Sequence, residues 1–340
     1  MNFSKTKESL NSLMTLRVCI LHQPYDEAPD ELRALLDQGV TVTWGNPSPG
    51  DENFQILVAG RPSIDQLQFS TDLHSLIIPF AGIPFETREL VLRHFPGLHV
   101  YNLHHNAVAT AEMAMALLFA VAKNLIPADR ALRSHDWRIR YRSNENIVLQ
   151  GKRALILGYG AVGRHIARLC QAVGLDVIAL RRKPGEKIEE GGVQILPSSA
   201  LDDVLSEVDV VFIALPLTPQ TEAMINADRI AKLSPQCVVV NVARGPIIDE
   251  KPFFVALQRK AIMGAGIDVW YYYPADETSR ERTEPASLPF HELDNVVMSP
   301  HRAGGSRHNE ELRLQHLASL LNALAIGEKI PNRVDLKEGY

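Results

Sequence analysis

Residues 153–164 read Arg153-Ala154-Leu155-Ile156-Leu157-Gly158-Tyr159-Gly160-Ala161-Val162-Gly163-Arg164, and the reading of this stretch decides the fold. Four apolar residues run directly into Gly-x-Gly-x-x-Gly. A helical pattern follows at 164–173 and a further strand pattern at 176–180. Such a glycine pattern is weak by itself, because tight turns of many kinds use glycine. Between a strand and a helix it becomes specific for a dinucleotide. Gly158 permits the tight turn, Gly160 lets the backbone approach a pyrophosphate, and Gly163 lets helix and strand pack closely. The amides of the first helical turn, with Tyr159, Ala161 and Val162 among the six residues, then face the phosphates. The competing reading is a tight strand-to-helix turn that holds no ligand.

Working outward, short apolar runs at 16–21, 40–44, 56–59, 76–79 and 99–102 precede this stretch, with a helix expected at 31–36. Strands are expected after it at 208–215, 237–242, 264–269 and 295–299. Strands alternating with helical stretches predict parallel sheets with crossover helices. The fold class is therefore α/β, with two Rossmann-like domains of parallel sheet. Residues 110–124 form a helical run that is apolar on nearly every side, which predicts a helix buried between layers or domains. Residues 130–150 are polar, with arginines around Trp137, and read as a surface excursion; 310–326 read as a helix with no strand after it. The opening residues 1–16 are too polar for a signal peptide and read as a disordered leader.

Composition narrows the class. The chain has 340 residues, 46% hydrophobic and 22% charged, enough for two ordinary globular domains. A net charge of -5 gives no whole-chain electrostatic footprint for nucleic acid. Cys19, Cys170 and Cys237 are scattered without a disulfide or metal-ligand pattern, which fits a reducing cytoplasm. No run approaches the roughly 18 apolar residues that span a bilayer, so no membrane is expected, and the scattered cysteines give no reason to expect a metal.

The nucleotide is read at the end of the second strand, where an NAD site carries Asp or Glu for the ribose 2′-hydroxyl. Here the corner reads Leu180-Arg181-Arg182-Lys183. An arginine grips a 2′-phosphate through parallel hydrogen bonds, so Arg181 and Arg182 favour NADP over NAD. The bland alternative is that they are solvated loop charges.

Three further segments carry a resemblance. They are Leu215-Pro216-Leu217-Thr218-Pro219-Gln220-Thr221, then Val240-Asn241-Val242-Ala243-Arg244-Gly245-Pro246-Ile247-Ile248-Asp249-Glu250, then Ser299-Pro300-His301 with Arg302-Ala303-Gly304-Gly305. In this order and spacing the chain, from about Tyr101 to Gly305, resembles the D-2-hydroxyacid dehydrogenase family. The chemistry suits these residue types: a guanidinium fork holds a carboxylate, and a histidine near neutral pKa shuttles a proton. The resemblance implies that Arg244 holds the substrate and that His301 is the acid–base. It places Ala81, Gly82 and Ile83 on the substrate carboxylate and Asp268 against the nicotinamide carboxamide. Leu215, Pro216, Thr221, Val242, Ala243, His301, Ala303 and Gly304 would line the cofactor pocket. It implies a substrate domain of residues 1–105 and 306–340, into which a dinucleotide-binding domain of 106–305 is inserted. The substrate is a small 2-oxo or 2-hydroxy acid held in a cleft that closes by a hinge, and the assembly is a homodimer to which the long helix contributes.

The chain departs from the family at Tyr273, five residues after Asp268, where the family usually has the glutamate that pairs with the histidine. Losing that carboxylate lowers the histidine pKa. Three readings remain open: a His–Tyr enzyme displaced toward acid pH, a formate-dehydrogenase-like enzyme that needs no proton transfer, and a nucleotide-binding regulator. Asp276 or Glu277 are possible substitutes for the carboxylate. His104 and His105 stand where the family has small residues, and read as substrate contacts (His104 first), hinge-loop surface, or a metal pair lacking a third ligand. Arg302 and Arg307 suit a polyanionic substrate or partner Glu310 and Glu311. The tract Trp270-Tyr271-Tyr272-Tyr273 lacks interleaved basic residues and reads as packing rather than base stacking.

Overall fold

The computed structural model describes residues 15–48, 50–51, 53–141, 146–182 and 188–339; most of the expected leader, and Lys183, lie outside them. The chain divides into two compact units, Met1–His105 with Glu310–Tyr340, and Asn106–Asn309.

In the first unit, β1 (Leu16–Ile20), α1 (Ala28–Leu35), β2 (Val40–Trp44), β3 (Ile56–Val58), α2 (Ile64–Gln68), β4 (Ser75–Ile78), α3 (Phe85–His94) and β5 (His99–Asn102) alternate along the chain. All five strands are parallel, in the order β2-β1-β3-β4-β5. The central strands β3 and β4 are buried at every position, as strands covered on both faces must be. Helix α1 begins three residues before the expected 31 because Pro29 sits in its first turn, where the missing N–H costs no hydrogen bond. The sequence reading passed over α2 and α3. Ser63 and Gln66 close a capping box on α2, whereas α3 buries only Thr87 and Val91 and so shows little periodicity. From Glu310 onward, the helix Arg307–Ala325 belongs to this unit. Its Leu314, Leu317, Ala318 and Leu321 pack with Ile20, Val58 and Leu103 on one face of the sheet. The orphan helix of the sequence therefore covers the first sheet.

The second unit opens with α4 (Ala107–Ala122) and α5 (Leu125–Arg133). There follow β6 (Arg153–Leu157), α6 (Ala161–Ala172), β7 (Asp176–Arg181), β8 (Ile188–Glu190), β9 (Val193–Pro197), α7 (Leu201–Val204), β10 (Val210–Ile213), α8 (Ala227–Ile230), β11 (Val238–Asn241), α9 (Glu250–Gln258), β12 (Gly264–Ile267) and β13 (Val296–Met298). The sheet order is β13-β12-β11-β10-β6-β7-β9-β8, parallel except for the antiparallel edge pair β8–β9. Two buried clusters cover its faces; one holds Phe212 and α4, the other Phe253, Phe254 and Phe290. Gly266 lets α4 lie close on β12, since a Cβ there would stand 2.6 Å from Leu117 Cβ.

Two expectations are corrected here. Helix α4 is not buried all round: Val108 and Phe119 are 45% and 38% exposed, on one stripe with Glu112. The excursion at 130–150 lies largely at the surface, as expected, and α5, which leads into it, presents Leu125, Ile126 and Leu132 to solvent, followed by exposed Trp137 and Tyr141. The unit boundary falls after Asn309 rather than after 305, because Asn309 turns back: its Nδ2 donates to the Gly304 carbonyl (2.8 Å) and its amide to Ser306 Oγ (3.1 Å). No single described helix is long and apolar enough to cross a membrane; α4 and α5 pass that test only as a pair, bent by 64°, and α4 is mostly buried.

Candidate active site

The glycine turn joins β6 to α6. Gly158 has φ +100° and lies against the Ala214 carbonyl, where a Cβ would approach within 2.5 Å of oxygen. A Cβ on Gly163 would stand 2.0 Å from the Gly158 carbonyl oxygen. Gly160, by contrast, has nothing within 4 Å of its Cβ direction. Two glycines are thus required by the protein's own packing, and the third faces open space. Gly160 caps α6 without a side chain, and Gly160 and Ala161 are exposed. The amides of that first turn have no intrahelical partners, which is the donor set a diphosphate uses. Tyr159 is buried, Val162 half-buried, and Arg164 stacks on the Tyr159 ring at 4.6 Å while pairing with Glu190 of β8. Arg181 and Arg182, both exposed, stand at the end of β7.

Beyond β10, Leu215 and Pro216 are half-buried, and Thr221 holds the loop that contains them. Its hydroxyl donates to the Pro216 carbonyl (2.6 Å) and accepts from the Thr218 amide (2.8 Å). Beyond β11, Asn241 clamps the next turn: its Oδ1 accepts from the Ala243 amide (3.0 Å) and its Nδ2 donates to the Arg244 carbonyl (2.9 Å). Val242 and Ala243 are buried, and Arg244 is half-buried with Nη1 donating to the Ala243 carbonyl (2.6 Å). Sequence reasoning had quoted Asn241 without giving it this positioning role.

Asp268 is 0% exposed. Its Oδ1 accepts from Ser299 Oγ (2.5 Å) and the Arg302 amide (2.9 Å), and its Oδ2 from the Ala303 amide (3.1 Å). Three of about four lone-pair directions are therefore engaged, leaving one open. These bonds lock the loop after β13, in which His301 adopts φ +56°, a left-handed conformation that strains a β-carbon-bearing residue. The indole of Trp270 donates to the Ser299 carbonyl (2.8 Å) from the other side. Ala303 and Gly304 in the same loop are half-buried.

The ring of Tyr273 lies against His301, while its hydroxyl accepts the Trp270 amide (3.0 Å). His301 as a residue is exposed while its ring is crowded by this neighbour. Partial desolvation lowers its pKa, the Arg244 cation lowers it further, and Asp268 opposes both. Burial raises the Tyr273 pKa, so the phenol is neutral at ordinary pH. Trp270 and Tyr271 pack on Phe290, and Tyr271 donates to the Ile248 carbonyl, leaving Tyr272 and Tyr273 as the exposed half of the tract. Asp276 is held by Thr278 and Ser279 within its own turn, and Glu277 pairs with Arg280; both are engaged away from His301. The second unit thus groups Arg244, Asp268, Tyr273 and His301 through their mutual fields.

In the first unit, Ala81, Gly82 and Ile83 follow β4 at the carboxyl edge of the sheet, half-buried, with Gly82 at φ +80°. His104 and His105 follow β5 at the same edge, and His105 is buried rather than on a loop surface. Among the described residues, no group of three or more His, Cys, Asp or Glu side chains is placed to hold a metal ion.

Residues 115–303 match the family described as "D-isomer specific 2-hydroxyacid dehydrogenase, NAD binding domain". The chain is 34% identical to a glyoxylate reductase of Thermococcus onnurineus over 67% of this chain and 66% of that protein. It is 27% identical to a D-3-phosphoglycerate dehydrogenase of Mycobacterium bovis over 92% of this chain and 58% of that protein, so it spans two thirds or less of these relatives' lengths. A D-isomer specific 2-hydroxyacid dehydrogenase of Xanthobacter autotrophicus, solved with NADPH, superposes at a TM-score of 0.77 with 25% identity, covering 95% of this chain and 99% of that one.

Proposed function

Because the chain belongs to the D-isomer specific 2-hydroxyacid dehydrogenase family, we propose that it is an NAD(P)-dependent oxidoreductase interconverting a small 2-oxo acid and its 2-hydroxy acid. The observation that carries this reading is that Arg244, Asp268 and His301 follow β11, β12 and β13, three neighbouring parallel strands, at the same carboxyl edge of the sheet. Arg244 holds the substrate carboxylate through its fork of donors. His301 donates a proton to the oxygen on carbon 2 during reduction and takes it back during oxidation. Asp268 fixes the loop that aims His301. By the resemblance, Ala81, Gly82 and Ile83 would meet the substrate carboxylate; His104, where the chain departs from the family, is a further proposed contact.

The glycine turn fits a dinucleotide, with Gly160 open and the α6 amides unpartnered within the helix. Gly158 through Gly163 would hold the diphosphate and Arg181 and Arg182 the 2′-phosphate, so NADP is preferred; the Xanthobacter relative solved with NADPH supports this. Leu215, Pro216, Val242, Ala243, Ala303 and Gly304 would line the remainder. When bound, the nicotinamide supplies or accepts the hydride at carbon 2. The neutral phenol of Tyr273 beside His301, in place of a carboxylate, favours one second reading, a formate-dehydrogenase-like reaction in which no proton is moved. The apolar side chains exposed along α4 and α5 support a homodimer formed on that surface.

A matrix of NADPH and NADH against glyoxylate, pyruvate, hydroxypyruvate and formate tests the proposal. Turnover of a 2-oxo acid that is abolished in His301→Ala, with nucleotide binding retained, is the expected result. Turnover persisting in that variant removes His301 as the acid–base, and activity with formate alone selects the second reading.

A further inference from the structure

The second unit contains a cavity of about 500 Å³ that the chemistry above does not use. Gln236, Met263 and Asn295, which precede β11, β12 and β13, stand in its wall, so it lies at the amino edge of these parallel strands. Arg244, Asp268 and His301 follow the same strands at the carboxyl edge. The cavity is therefore separate from the candidate active site, and every residue that lines it belongs to the second unit. Its volume falls within the range of about 300–1,000 Å³ over which pockets enclose small molecules. Val121, Ile139, Ile147, Leu257, Met263 and Leu293 give it an apolar wall.

The charges around this wall choose the ligand chemistry. Lys260 and Glu292 both line the cavity and are exposed, yet neither forms an ion pair among the described residues. Asp294, on the same rim, pairs instead with Arg130 (3.7 Å). Asn295 ties the two sides together, its Nδ2 donating to the Leu257 carbonyl (3.1 Å) at the end of α9 and to the Met263 carbonyl (3.2 Å). The turn that carries Lys260 and the loop that carries Glu292 are thus held against one another around one apolar space. Residues in the last turns of α4 and α9 also line it, and the carboxyl end of a helix favours a cation. A fatty acid would leave Glu292 unmet, an alkylamine would leave Lys260 unmet, and a sugar would leave the apolar wall uncovered. A molecule with an ammonium group, a carboxylate and an apolar body meets all three.

We infer that this cavity is a binding site for an amino acid with an apolar side chain. Glu292 takes the ammonium group, Lys260 takes the carboxylate, and the side chain lies on Leu257, Met263 and Leu293. The inference goes beyond the dehydrogenase reading and does not depend on it.

Calorimetric titration of the full chain with L-leucine and L-phenylalanine tests this, with 3-phenylpropanoate and phenethylamine as probes that each lack one charge. At least one amino acid is expected to bind saturably and more tightly than either single-charge probe. Glu292→Gln and Lys260→Met, both at exposed positions, each weaken that binding by about threefold or more at low salt. Leu293→Trp fills the cavity and abolishes binding, and its melting temperature confirms that the variant is folded. Because an amino acid also resembles a 2-hydroxy acid, Arg244→Ala is titrated in parallel, and binding should survive in it. Binding that is lost in Arg244→Ala but unchanged in the Glu292 and Lys260 variants places the amino acid at the substrate site and overturns the inference. So does the absence of saturable binding, whether water fills the cavity or a second copy of the chain, detected by light scattering, closes it.

Discussion

The ring of Tyr273 lies 5.5 Å from the imidazole of His301, tilted by 55°, with its hydroxyl turned to the Trp270 amide. The histidine therefore gains an aromatic wall where a carboxylate would have supplied charge. Reduction needs protonated His301, whose pKa lies below the usual histidine value, so kcat/KM for reduction rises as pH falls through that lowered pKa. Tyr273→Glu restores a carboxylate and moves the profile toward neutral pH. Tyr273→Phe loses the acceptor for the Trp270 amide, costing about 1 kcal/mol of stability, and leaves the profile in place. An unmoved profile in the glutamate variant, measured from pH 4.5 to 8, removes Tyr273 from the control of this proton.

The three glycines of the turn separate folding from binding. Gly163→Ala forces a methyl to within 2.0 Å of the Gly158 oxygen, and the turn must shift at a cost of about 1–3 kcal/mol or more. Gly160→Ala meets no protein atom, so the melting temperature changes little while nucleotide affinity falls at least about tenfold. Calorimetric titration with NADPH beside thermal unfolding checks both. Equal nucleotide affinity in Gly160→Ala and wild type is incompatible with a dinucleotide backbone passing that glycine.

Cofactor choice is tested at the end of β7. Arg181→Asp places a carboxylate where a ribose 2′-hydroxyl would be held and a 2′-phosphate repelled, so the ratio of kcat/KM for NADPH to NADH falls by about tenfold or more. An unchanged ratio means that Arg181 is only a solvated charge.

Much of this arrangement was legible because it is local. The parallel strands β6, β7, β10, β11 and β12 are apolar runs buried over most of their length, and the glycine turn stands out by its spacing. What the sequence hid depends on packing. The edge strand β8 is fully exposed and carries no apolar pattern, and α3 buries only two residues. Whether α4 was covered all round could not be read from its composition, because Val108 and Phe119 look the same in sequence whether buried or exposed. The burial of His105 depends on a helix more than 200 residues later. The hydroxyl of Tyr273 was hidden for a different reason: its partner is a backbone amide three residues away, and only the turn geometry brings them together.

Asp268 links the strand β12 to the loop that carries His301. Asp268→Asn offers its amide hydrogens or its single oxygen to three donors, so at least one of Ser299, Arg302 and Ala303 loses its acceptor. The expected loss is about 2–4 kcal/mol of stability, with kcat falling more than KM rises because His301 is released from its strained conformation. Steady-state kinetics beside chemical denaturation separates the two effects. Wild-type kcat in the variant would show that the loop holds its shape without the carboxylate.

Burial, with the nearby Arg313, His316 and His104, lowers the His105 pKa from 6.5 to about 3. An unfolded chain binds a proton there as pH falls below about 6.5, and the folded chain does not. Stability contributed by neutral His105 is therefore present above that pH and is lost progressively toward pH 3. Between pH 7 and pH 5 the loss assigned to His105 is about 2 kcal/mol. His105→Gln removes the titrating group while keeping a polar side chain of similar reach. The free energy of unfolding, measured by urea titration at pH 7, 6 and 5, should then fall less steeply with acid in the variant than in the wild type. Parallel slopes would mean that His105 exchanges its proton freely in the folded protein, and that the burial around it is looser than its contacts with His316 indicate.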